Sequence, residues 1–273
     1  PADALTTGAC NIAMGVNALG AATTGSRNVA IGELAMGACI TTGSCNVAIG
    51  QATMDALTSG IDNIGIGQNA AGALTTACRN IAIGRDAMSG VVTGNYNIAM
   101  GMQTMTAVTS GNNNIAMGLN ALLKNTTGNN NIAIGNMALS CSSASAITNN
   151  IAIGCLAMGA ALVTGIDNIA LGNSSMDALT CGICNVAIGT HALGASTTGC
   201  ENIAIGELAM GLCIVTGSYN VAFGRYAGYR VTTGIYNTMM GYTAGSGVTT
   251  GCNNIAIGNS AGVSVVAQNS TIN

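Results

Sequence analysis

The sequence predicts an all-β fold, a parallel β-solenoid (β-roll) of about fifteen coils of 17–19 residues each. Three observations carry that expectation. An asparagine recurs fifteen times at a nearly constant interval, followed in most copies by an aliphatic–alanine–aliphatic–glycine phrase. Within the phrase the large apolar residues alternate with alanine, which is strand periodicity. Of the 273 residues, 40 are glycine and only 5% are charged, against about 25% charged in ordinary soluble domains.

The recurring asparagines are Asn11, Asn28, Asn46, Asn63, Asn80, Asn97, Asn114, Asn131, Asn150, Asn168, Asn185, Asn202, Asn220, Asn237 and Asn254. Around them the phrase reads Thr-Thr-Gly-x-x-Asn-(Ile/Val)-Ala-(Ile/Met)-Gly-x-x-(Ala/Ser/Thr)-(Leu/Met), as in Thr126 through Leu139. Thr-Thr-Gly reads as a turn, Ile132–Ile134 as a strand ended by Gly135, and the following run as a second short segment ending on Leu139. Gly128 and Asn131 are expected to mark the bends, since glycine and asparagine take positive φ most easily. A helix is excluded, because no apolar stripe survives so many glycines, each costing about 1 kcal/mol.

A unit this short cannot bury its own aliphatic side chains, so successive coils must stack. Ile/Val, Ile/Met and Leu/Met are expected to fill a narrow interior, leaving Ala, Gly, Ser and Thr outside. The asparagines either stack as an amide ladder or act only as turn formers. Both roles are structural. Faces so small and weakly polar suit close packing between chains, which points to a homo-oligomer, most simply a trimer.

Composition narrows the function classes. A formal net charge of −3 gives no basic footprint for nucleic acid. Glycine and asparagine break every apolar run before the about 18 residues of a membrane helix, so membrane insertion by this segment is not expected. Pro1 to Thr7 begins partway through a repeat and Val263–Ala267 follows the last copy without a polar cap, so the sequence reads as a piece of something longer.

The array is read as one domain over 1–273, with a loop irregularity at 140–147, where the interval stretches to 19. Gly65 replaces the strand alanine and Ala77 the turn glycine. Over 219–242 the texture changes: Tyr219, Phe223, Tyr226, Tyr229, Tyr236 and Tyr242 crowd together. Tyr219, Tyr226, Tyr229, Tyr236 and Tyr242 are candidates for ligand contact, since aromatic faces suit pyranose rings; a differently packed stretch of solenoid is the structural alternative.

The phrases Thr232–Gly245 and Thr127–Gly135 resemble the head repeats of trimeric autotransporter adhesins and the related repeats of phage tail fibres and bacterial surface fibres. The resemblance covers essentially the whole chain, although each coil here is longer than the adhesin repeat. It implies a trimerising β-roll, an extracellular location on a cell-surface appendage or virion, and attachment to a cell-surface glycan or protein.

Catalytic and metal chemistry find little support. The eleven cysteines are odd in number and occupy slots elsewhere filled by Ser, Asn, Ile and Arg, so they read as small tolerated residues, with inter-chain disulfides as the alternative. Cys181 and Cys184 have metal-ligand spacing, but no second pair exists and His191 is the only histidine. No catalytic residue, metal or cofactor is expected. The expected role is a structural fibre segment of an extracellular adhesin or viral tail fibre, not an enzyme. The alternatives are an ice-binding β-solenoid, against which adjacent threonines point to opposite sides, and a self-assembling extracellular filament subunit.

Overall fold

A computed structural model describes residues 4–141, 147–262, 267–270 and 272. The centre of the 140–147 irregularity and Val263–Val266 therefore lie outside the described residues. The chain is an all-β parallel β-solenoid of about 14 turns, with no helix among the described residues. Fifteen coils were expected from the fifteen phrases; a stack of n rungs bounds one fewer complete turn.

Contacts divide the chain into two compact units, one extending to Asn131 and the other beginning at Ile132. The first holds β1 (Ile12–Met14), β2 (Val29–Ile31), β3 (Val47–Ile49), β4 (Ile64–Ile66), β5 (Ile81–Ile83), β6 (Ile98–Met100) and β7 (Ile115–Met117). The second holds β8 (Ile132–Ile134), β9 (Ile151–Ile153), β10 (Ile169–Leu171), β11 (Val186–Ile188), β12 (Ile203–Ile205), β13 (Val221–Phe223), β14 (Thr238–Met240) and β15 (Ile255–Ile257). Within each unit every strand pairs parallel with the next, in full register: Ile98 opposite Ile115 in the first, Ile132 opposite Ile151 in the second.

The side on which the strands present their aliphatic residues corrects the sequence expectation. The alanines point inward: Ala30, Ala48, Ala82, Ala99 and Ala116 are fully buried. The flanking Ile, Val and Met point outward, with Ile66 and Met117 each 37% exposed. Alternation explains this. The key asparagine is buried, so the residue two places on must share its side and the residues between must face away. Inside, the alanines meet Met36, Met88 and Leu122 of the first unit, and Leu139, Met158 and Leu193 of the second, all fully buried. A large side chain on both walls would overpack so narrow an interior.

The bends also fall elsewhere than expected. Positive φ belongs not to Gly128 and Asn131 but to Asn130 (57°), Gly135 (133°), Met137 (54°) and Leu139 (51°), a pattern repeated coil after coil. At Gly135 no side chain fits: a Cβ would lie 2.5 Å from the Gly154 carbonyl oxygen. Leu139 takes the left-handed conformation against its ordinary preference, which costs about 1–2 kcal/mol, and is fully buried in return.

The asparagines form a continuous chain of hydrogen bonds in each unit. In the first, the Asn114 backbone N–H donates to Asn97 Oδ1 at 3.0 Å, and Asn114 Nδ2 donates to the Gly128 carbonyl at 2.8 Å. In the second, the Asn185 N–H donates to Asn168 Oδ1 at 3.0 Å and Asn185 Nδ2 to the Gly199 carbonyl at 2.8 Å. Each side chain thus ties its own rung to both neighbours while satisfying backbone groups buried away from water.

Candidate functional site

Because equivalent positions in successive coils superimpose, a residue's slot relative to the key asparagine decides its neighbours. The tyrosines of 219–242 sort into two groups on this rule. Tyr219 and Tyr236 each precede a key asparagine, and their rings stack at 4.9 Å with planes 12° apart, close to the roughly 4.8 Å between strands. Glu201, in the same slot one coil earlier, raises the Tyr219 hydroxyl above its ordinary pKa by its negative charge, with Tyr236 contributing next.

Tyr226, Tyr229 and Tyr242 gather elsewhere in the second unit. Tyr226 meets Tyr229 at 5.2 Å and Tyr242 at 6.3 Å, both edge to face. Arg225 holds Glu207 at 2.9 Å and lies over the Tyr226 ring at 4.7 Å from its centroid. A cleft of about 440 Å³ opens here, lined by Tyr226, Tyr229, Arg230, Thr243, Ser246 and Gly247. Its cause is local. Tyr229 occupies a slot that is glycine at Gly194 and Gly211, so its ring stands up as a wall where the two preceding coils carry nothing. Arg230, Thr243 and Ser246 were not singled out from the sequence, because nothing in their residue types departs from loop composition.

Arg230 is exposed and makes no ion pair among the described residues. No carboxylate lines the cleft. The site therefore combines aromatic walls, two hydroxyls and one uncompensated positive charge. These groups can bind a ligand through ring faces, hydroxyls and a guanidinium.

The other cohesive surface is the outward strand face. In the first unit it carries two aliphatic ladders, one through Val29, Val47, Ile64, Ile81, Ile98 and Ile115, the other through Ile31, Ile49, Ile66, Ile83, Met100 and Met117. Met102 and Leu119, 38% and 36% exposed, widen it beyond the strand-ending glycines.

All eleven cysteines are free and none is buried. Asp167 and Glu201 occupy the Cys184 slot in the adjacent coils, and Cys184 has its thiol pKa raised, by desolvation first and then by these two charges. Among the described residues no group of three or more His, Cys, Asp or Glu could hold a metal ion, and Cys181 and Cys184 gain no third ligand. No helix among the described residues is long and apolar enough to cross a membrane. No protein-family model matches the chain, and no curated protein matches it.

Proposed function

We propose that this chain is a structural segment of an extracellular attachment fibre, in which copies pack side by side through the outward strand face. The role is mechanical rather than catalytic: a stack of rungs holds a binding surface away from its anchorage, and repetition supplies avidity. The observation that carries this reading is the uncharged double ladder, made of Ile, Val and Met in the first unit and mainly of them in the second, held in register along each unit.

The strands of the first unit alone present a flat apolar footprint of roughly 300 Å² from strand spacing and rise. A contiguous apolar patch of that order is as large as the largest on a typical monomer, and such patches are often functional. The occupant that fits is a second copy of the same chain, because an identical ladder repeats at the same spacing and meets it rung for rung. A cyclic trimer closes such contacts around an axis.

The ice-binding alternative loses support from the threonines. Thr58 Oγ1 donates to the Thr75 carbonyl and Thr109 Oγ1 to the Thr126 carbonyl, both at 3.0 Å, and Thr180 and Thr232 do the same. These hydroxyls are committed to the next coil instead of to an external lattice.

Light scattering on the purified chain tests the proposal. The expected mass is a small integer multiple of one chain, three for the trimer. Ile81→Thr, Ile98→Thr and Ile115→Thr together should reduce it to the mass of one chain with the β circular-dichroism signal retained. A wild-type chain that is monomeric at all concentrations would remove the proposal.

A further inference from the structure

We infer that the cleft between Tyr229 and Ser246 is a binding site for an acidic saccharide, a chain of uronic-acid or similarly carboxylated sugars. The inference rests on the attachment reading and supplies the ligand class that reading lacks.

The wall chemistry selects a ring. Tyr226 and Tyr229 stand at 84° to each other, making a corner of two aromatic surfaces 5.2 Å apart at their centroids. Pyranose rings present flat C–H faces to such surfaces and hydroxyls at their rims. Arg225 lies over one face of Tyr226, which leaves Tyr229 as the platform. Thr243 and Ser246 line the same cleft with hydroxyls that both donate and accept. Thr243 Oγ1 already shares a hydrogen bond with Ser260 Oγ at 3.0 Å, which fixes its orientation.

The charge selects the acid. Two arginines lie near this corner, and they differ. Arg225 is neutralised by Glu207 at 2.9 Å. Arg230 lines the cleft and makes no ion pair among the described residues. A planar guanidinium with no carboxylate of its own matches the carboxylate of a bound sugar bidentately. In a chain with only six Lys and Arg against nine Asp and Glu, an unpaired arginine in a cleft free of acids is a local reversal of the overall charge. An open cleft of about 440 Å³ holds one or two sugar rings of a longer chain.

Calorimetric titration of the whole chain with an oligogalacturonate, and with a dextran oligomer of equal length as the neutral control, tests this. The acidic oligomer is expected to bind and the neutral one to bind at least about tenfold more weakly. Tyr229→Ala should weaken the acidic oligomer by roughly tenfold or more. Arg230→Gln, at an exposed position, should erase the difference between the two oligomers. Equal binding of both by the wild type, no binding of the oligogalacturonate, or binding that neither substitution weakens overturns the inference. Light scattering on the same samples separates the two claims. A chain that assembles yet ignores oligogalacturonate refutes the cleft alone; one that binds it as a monomer refutes the side-by-side packing alone.

Discussion

Met239 fills the space that Gly245 leaves. A Cβ built on Gly245 would fall 2.3 Å from Met239 Cγ, and one on Gly228 would fall 2.8 Å from Met239 Cε. In this part of the second unit the two walls have exchanged sizes: the strand carries methionine where most coils carry alanine, and the opposite wall carries glycine where most carry Leu or Met. Here the bulk gained on one wall occupies the room given up on the other. Met239→Ala should lower stability by about 2–5 kcal/mol through the cavity it opens. Pairing it with Gly228→Met, at a φ of 57° that methionine adopts in other coils, should recover part of that loss. Urea midpoints of the single and double variants check this; a double variant no better than the single would break the exchange argument.

Removal of Asn114 should be costly. Asn114→Ala deprives the Asn131 N–H of its acceptor at 3.0 Å and the Gly128 carbonyl of its donor. Two buried backbone groups left unpaired cost roughly 2–6 kcal/mol. Hydrogen exchange should show the Asn131 amide losing protection first. Unchanged protection there would mean the side-chain ladder is dispensable.

Asp55 and Asp177 share a slot, and burial raises the carboxyl pKa of each above its ordinary 3.8, with local backbone N–H groups opposing in both cases and the His191 charge opposing at Asp177. Here the folded-state pKa is the higher one, so the unfolded chain binds fewer protons in between. The contribution of these groups is therefore most favourable below the ordinary value and declines as pH rises through the raised one. Asp55→Asn with Asp177→Asn should raise the melting temperature at neutral pH and have little effect at pH below the ordinary carboxylate range. An equal gain at both pH values would assign the effect to something other than ionisation.

Cys184 should be among the slower thiols to alkylate. Its thiolate is disfavoured by desolvation and by Asp167 and Glu201, and alkylation proceeds through the thiolate. Mass-spectrometric labelling with iodoacetamide should place Cys184 behind Cys10, which is also exposed. Asp167→Asn with Glu201→Gln should bring the two closer. Faster labelling of Cys184 than of Cys10 would contradict the assigned environment.

Repeat length, strand position and the end of each strand at glycine are all legible in the sequence, because period and alternation are one-dimensional signals. Which face turns inward is not decided by hydrophobicity, since Ile115 and Met117 outrank Ala116 on any scale yet point outward. The deciding signal was parity: Asn114 and Ala116 are two apart, and a buried amide obliges its partner in parity to be buried too. The same slot arithmetic would have separated Tyr219 and Tyr236 from Tyr226, Tyr229 and Tyr242. Arg230, Thr243 and Ser246 carry no comparable signal. Their significance depends on Tyr229 standing where the two preceding coils have glycine, which is a relation between coils and not a property of any one of them.

In the 18-residue coils, Ile40, Leu162 and Ile214 occupy the same slot of their own coils and are 63%, 58% and 62% exposed, and Val91 is 60% exposed in a 17-residue coil. Two perfectly uniform ladders laid together can slip by one rung and sacrifice almost nothing, which leaves their alignment undetermined. In the side-by-side packing proposed above, a second copy that also meets these residues would find landmarks at unequal heights, and these would remove that freedom. They would then work as the notches of a key do, so that identical rungs still add up to a single alignment.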